Sequence, residues 1–210
     1  MKNSKTFFSE EEKRGIEDAI QRIEKTTTGE IAVMVADSSD EYREAAVTGS
    51  IFFSSIISLA ATILLTDESV WSFLIILTLL ILPMRLLFRF LPRLKMSFIG
   101  QKQRESAVRK RALAAFYEKG LHRTRANTGV LFFISLLEHK VWVLADRGIY
   151  EKIDQETLNR LAAGISTGIK QGSTCKNLCS AIDEIGGILG KHFPVTHDDT
   201  NELPDSIITE

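Results

Sequence analysis

The chain has 210 residues, 44% of them hydrophobic, and its 26 basic and 27 acidic side chains leave a formal net charge of −1. Those totals are ordinary for a globular protein, and two cysteines exclude a disulfide-built scaffold. The near-neutral sum says little about partners, because it conceals a basic stretch in mid-chain and an acidic carboxyl end.

Residues 1–8 carry lysines but no apolar run before Glu10, so no cleavable signal peptide is expected. Ser9 with Glu12 three residues on is a capping box, and Glu10, Glu11 and Glu12 suit the positive end of a helix dipole. Ile16, Ala19, Ile20 and Ile23 then repeat at helical spacing, predicting an amphipathic helix to about Lys25. Residues 26–29 (TTTG) end it. Residues 30–36 (EIAVMVA) have the length and composition of a strand, closed by turn formers at 37–40.

Residues 45–66 then run without a charged side chain, long enough to cross a hydrocarbon core of about 30 Å. Asp67 and Glu68 interrupt the run, and 70–84 resume it. The second stretch lengthens to 91 if Arg85 and Arg89 snorkel toward headgroups. Together, 45–92 predict a transmembrane hairpin whose first span directs its own insertion. Arg85, Arg89, Arg93, Lys95, Lys102, Arg104 and Arg109 to Arg111 follow the second span, while the turn carries only acids. Lys and Arg excess marks the cytoplasmic side, so both termini are expected to be cytoplasmic, at a cell (inner) membrane. Arg85, Arg89, Arg93 and Lys95 are the side chains expected to touch anionic headgroups.

Beyond the hairpin, Val108, Ala112, Ala115 and Phe116 predict a helix over 101–119 that stops at Gly120. A basic loop follows at 121–129, then strands at 130–137 and 140–145, expected to pair antiparallel. Strands apolar on both faces need helices on both faces. Stripes at Leu158, Leu161, Ala162, Ile165 and Ile169, and at Leu178, Ala181, Ile182, Ile185 and Leu189, supply them; Pro194 stops the last. The acidic segment 195–210 is expected to be disordered. Neither 9–44 nor 100–194 can bury its apolar faces alone, so they are expected to form one discontinuous domain around the hairpin 45–92. The fold class is therefore α/β: an α/β/α sandwich on a small mixed sheet with an inserted two-helix transmembrane hairpin.

Residues 28–31 (TGEI), 128–137 (TGVLFFISLL) and 144–149 (LADRGI) resemble the TPM domain family, in particular bacterial membrane proteins whose TPM domain is split by a hydrophobic hairpin. In those proteins residues like 39–42 (SDEY) lead into the hairpin, and residues like 116–124 (FYEKGLHRT) precede the next strand. The resemblance spans nearly all of 9–194. It implies an α/β/α sandwich; divalent-metal binding and weak acid phosphatase activity are assigned to some members, and accessory or assembly roles to others. Many members sit outside the cell or in a lumen behind a signal peptide, and this chain departs from that pattern.

No phosphate loop, nucleophile elbow, zinc-protease motif or paired-cysteine pattern is present. Cys175 and Cys179 stand at i, i+4, the wrong spacing for CxxC chemistry, and are expected buried and reduced. His122, His139, His192 and His197 are scattered surface residues. Asp146 ends one strand and Asp37 another, so both are expected at one rim of the sheet, where clustered carboxylates suit Ca²⁺ or Mg²⁺. Glu30, at the start of its strand, is the weaker candidate. The competing reading makes Asp146 a turn and capping residue. No reading module for nucleic acid accompanies the basic side chains, and His122, Arg123 and Arg125 are the loop residues expected to bind a partner or anion. Two function classes result: a non-catalytic accessory module for membrane partners, or a phosphatase using a carboxylate-bound cation to activate water.

Overall fold

The computed structural model describes residues 3–65, 69–195 and 201–210, without the side chains of Arg89 and Arg93. The expected acidic turn at Asp67 and Glu68, and His197, lie outside the described residues. In chain order the elements are α1 (Ser4–Phe7), α2 (Glu10–Glu24), β1 (Glu30–Ala36), α3 (Arg43–Leu65), α4 (Val70–Phe90), α5 (Pro92–Met96), α6 (Gln101–Glu118), β2 (Gly129–Ser135), β3 (Lys140–Ala145), α7 (Arg147–Tyr150), α8 (Gln155–Gln171), α9 (Thr174–His192) and β4 (Ile208–Thr209). They divide into two units, residues 1–39 with 105–210, and residues 40–104.

The first unit is mixed α/β. Ser9 opens α2 as its sequence requires: Ser9 Oγ accepts from the Glu12 amide at 3.2 Å, and Glu12 Oε2 accepts from the Ser9 amide at 2.8 Å. β1 is buried along its whole length and pairs in parallel with β2, Glu30 opposite Gly129 and Ala36 opposite Ser135. β3 returns antiparallel to β2, with Val130 opposite Ala145. One sheet face, through Ile31, Val33, Val35, Phe132 and Ile134, packs on Ile16 and Ile20 of α2, Leu158 and Ile165 of α8, and Ile182 and Ile185 of α9. The opposite face, through Ala32, Met34, Leu131 and Phe133, packs on Val108, Ala112, Ala115 and Phe116 of α6. Each large apolar side chain so buried stabilises by about 1.5–3 kcal/mol. Helices therefore cover both faces, which is why β1 and β2 read as unbroken apolar runs.

The carboxyl end departs from expectation. Disorder was expected over 195–210, yet 201–210 is placed and carries β4, giving the strand order β3-β2-β1-β4. β4 runs parallel to β1, with Met34 opposite Ile208 and Val35 opposite Thr209. Successive strand residues face opposite ways, and here Ile207 packs on one core and Ile208 on the other. Acidic composition pointed to solvation, but the open apolar edge of β1 needed a cover.

The second unit holds two helices, α3 and α4, long and apolar enough to cross a membrane. Their packing rests on small side chains. Gly49, Ser50, Ser54, Ser58 and Thr62 form the buried stripe of α3, the small-residue seam by which apolar helices approach closely. At Gly49 a Cβ would lie 2.3 Å from Phe88 Cε1, so only glycine fits. Phe52, Phe53, Phe88 and Phe98 cluster edge-on beside it, with Phe53 and Phe88 centroids 5.8 Å apart. Ser58 Oγ donates to the Phe73 carbonyl at 2.7 Å, joining the helices by a polar bond. Away from the seam, Leu64, Leu65, Trp71, Ile75, Leu79 and Leu82 are exposed.

Candidate functional site

The parallel pairing of β1 with β2 and the antiparallel return of β3 together decide where the candidate acids stand. The amide of Asp146 donates to the Gly129 carbonyl at 2.8 Å, at the rim where β1 and β2 begin. Asp37 follows Ala36, at the rim where they end. The two acids expected at one rim are thus a seven-residue strand apart, about 20 Å at 3.3 Å per residue, and cannot share one ion. Glu30, the weaker candidate, is on the same rim as Asp146.

Each acid accepts a backbone amide through one carboxylate oxygen. Asp146 caps α7, its Oδ1 accepting from the Arg147 amide at 2.7 Å, while Asp37 Oδ1 accepts from the Ser4 amide at 2.5 Å. Gly148 lets this turn close: its amide donates to the Asn127 carbonyl at 3.1 Å, and a Cβ there would lie 2.7 Å from that oxygen. Among the described residues no three His, Cys, Asp or Glu side chains converge as a metal centre.

Sequence reasoning missed a tighter group of acids beside Glu30. Glu24 Oε1 accepts from the Ile31 amide at 3.0 Å, and Glu30 Oε1 accepts from the Glu202 amide at 3.1 Å. Burial, with the charges of Glu30 and Asp205, pushes the Glu24 carboxyl up to about 8. The β-branched pair Ile207 and Ile208 in 206–210 (SIITE) is the only local hint of the strand that brings Glu202 and Asp205 here, and it is a weak one.

The basic loop lies at this same rim. Leu121–Arg123 form a 3-10 turn. Thr124 Oγ1 accepts from the Thr128 amide at 2.9 Å, and Thr128 Oγ1 donates to the Thr28 carbonyl at 2.8 Å, fastening the loop to the sheet. His122 packs at a tilt against Tyr117 with centroids 4.8 Å apart and accepts from Arg123 Nε at 3.3 Å. Arg123 and Arg125 remain exposed, and the Arg125 amide donates to Glu202 Oε2 at 3.0 Å. The result is a cationic, partly aromatic edge held on a rigid backbone.

With that geometry in view, one solved structure is informative. The chain shares the fold of the BA42 protein from the psychrophilic bacterium Bizionia argentinensis. That NMR structure aligns over 100% of both chains with a TM-score of 0.62 and 21% identity, a likeness of fold alone. No family model and no curated protein matches the chain.

The remaining candidates are placed separately. Arg85 is exposed on α4, and Lys95 Nζ donates to the Glu41 carbonyl at 3.3 Å. Arg89 and Arg93, expected at lipid headgroups with them, fall outside the described side chains. Cys175 and Cys179 are free and half-buried, pointing at the Glu12 and Gly15 carbonyls of α2. Burial pushes the Cys179 thiol up to about 11, so it stays a protonated, poor nucleophile.

Proposed function

We propose that this chain is an integral membrane protein whose α/β unit is a TPM-like, cytoplasmic, non-catalytic binding module for membrane partners. The hairpin of α3 and α4 is its anchor. Support for the anchor comes from the small-residue seam, the exposed apolar surface around it, and the exposed Trp71 near the start of α4, a residue type enriched at membrane interfaces. The Lys and Arg excess after α4 favours cytoplasmic termini at an inner membrane. The TPM resemblance rests on the motifs at 28–31, 128–137 and 144–149.

The observation that carries the binding role is the position of the basic loop. Within the α/β unit, Ser39 bonds Ser135 Oγ at 2.8 Å and Glu105 pairs with Lys140 at 2.8 Å, so both connections to residues 40–104 leave from the rim where β1 and β2 end. His122, Arg123 and Arg125 occupy the opposite rim, where a partner meets them without competing with those connections. Loops fixed on a rigid scaffold are common recognition surfaces. The separation of Asp37 and Asp146 lends no support to a phosphatase site shared by these two acids.

Affinity capture from detergent-solubilised membranes tests the reading. Changing Arg123 and Arg125 to Glu is expected to remove co-purifying partners while folding and insertion persist. An unchanged set of partners refutes the loop as the recognition surface. Reporter fusions at residue 43 and at the carboxyl end test the anchor; a fusion at 43 on the outer side refutes the topology.

A further inference from the structure

The segment 201–210 is fastened to the outer edge of β1 at few points. Glu210 exchanges backbone bonds with β1: its amide donates to the Val35 carbonyl at 3.0 Å, and its carbonyl accepts from the Asp37 amide at 2.8 Å. The Glu210 carboxylate pairs with Arg111 of α6, which also holds Glu118 at 3.0 Å. Glu202 bridges Glu30 and Arg125. Leu203, Ile207 and Ile208 are only half-buried. The ladder with β1 covers Met34 and Val35 alone. Asp205 of the segment hydrogen-bonds the Glu24 side chain at the start of β1.

Such a segment opens at modest cost, and opening bares an edge strand that is apolar on both faces. The structure itself names what fits there: an extended segment, parallel to β1, with one apolar residue for each core and an acid two residues after the second for Arg111. Another copy of this chain carries that same segment. The identical bonds can therefore form between copies. Exchange of an identical element is a low-cost route to a symmetric dimer. We propose that the β1 edge is a self-association site, at which two copies trade residues 201–210. The surface is distinct from the loop at 121–128, and the inference does not rest on that loop's recognising a partner.

Cross-linking of full-length chains decides it, in a background with Cys175→Ser and Cys179→Ser. Met34 and Ile208 are register partners, so Met34→Cys and Ile208→Cys report the pairing. A single chain carrying both changes is expected to cross-link within itself, which verifies that the variant folds and the ladder forms. Two differently tagged chains, one with Met34→Cys and the other with Ile208→Cys, are expected to give a cross-linked species bearing both tags. Adding Arg111→Glu to the Met34→Cys chain should reduce its yield several-fold. The proposal is overturned if only the double variant cross-links, or if neither arrangement does. It is equally overturned if Ile208→Cys cross-links as well to a chain carrying Lys170→Cys, an off-site position on α8.

Discussion

Replacing Glu24 by Gln isolates the electrostatic cost of the acid group at the start of β1. Glutamine keeps an acceptor for the Ile31 amide, held at 3.0 Å by Glu24 Oε1, and removes only the titration. Burial chiefly, then the charges of Glu30 and Asp205, raise this carboxyl from 4.5 to about 8. The folded chain therefore keeps a proton that the unfolded chain loses. Stability from this group is complete below about pH 4.5, falls as pH rises, and is fully lost above about pH 8. At 1.36 kcal/mol per unit the whole shift sets a ceiling of about 5 kcal/mol, and screening of a partly solvated side chain brings it to about 2 kcal/mol. Urea denaturation followed by Trp142 fluorescence, with Trp71→Phe in both proteins, measures it. The Gln variant should match the parent near pH 5 and exceed it by about 2 kcal/mol at pH 9. A difference that does not change between those pH values refutes the assignment.

Val33→Asp places a carboxylate in a strand buried on both faces, at a cost of several kcal/mol against a total of about 5–15; protease resistance of residues 120–194 should fall with it. Gly49→Leu should loosen α3 from α4, because even a Cβ meets Phe88 at 2.3 Å; reduced cross-linking between the two helices in detergent checks this. Asp146→Asn should leave divalent-cation binding and phosphate-ester turnover at the level of the parent, and should lower the melting temperature by a few degrees through a weakened α7 cap. A metal-dependent turnover that this change abolishes would restore the phosphatase reading.

Much of the architecture was legible because its signals are local. The Ser9 capping box, the apolar runs of β1 and β2, and the stripes of α8 and α9 each follow from neighbours in sequence. The site was not legible in the same way. Asp37 and Asp146 both end strands, and what puts them at opposite rims is the parallel pairing of β1 with β2, a long-range feature that no neighbour in sequence reveals. Pairing direction moves Asp146 by a full strand length and brings it to the side of Glu30. The segment 201–210 was hidden for a different reason. Two strand residues among acids carry little local signal, and what fixes them is an edge supplied more than 170 residues earlier, between Val35 and Asp37.

The parallel pairing of β1 with β2 also sets a clock during synthesis. Ala36 meets Ser135, so the ribosome adds about a hundred residues, both apolar helices among them, before β1 gains its neighbour. At 5–20 residues per second this delay lasts roughly 5–20 s. Throughout it, a seven-residue strand apolar on both faces waits without its neighbour. A chain whose elongation is slowed within 40–128 lengthens that exposure without altering the finished fold, and a holdase that shields short β-rich segments shortens its effect. The yield of this protein should accordingly depend on translation rate over the apolar helices as strongly as on the stability of the folded unit.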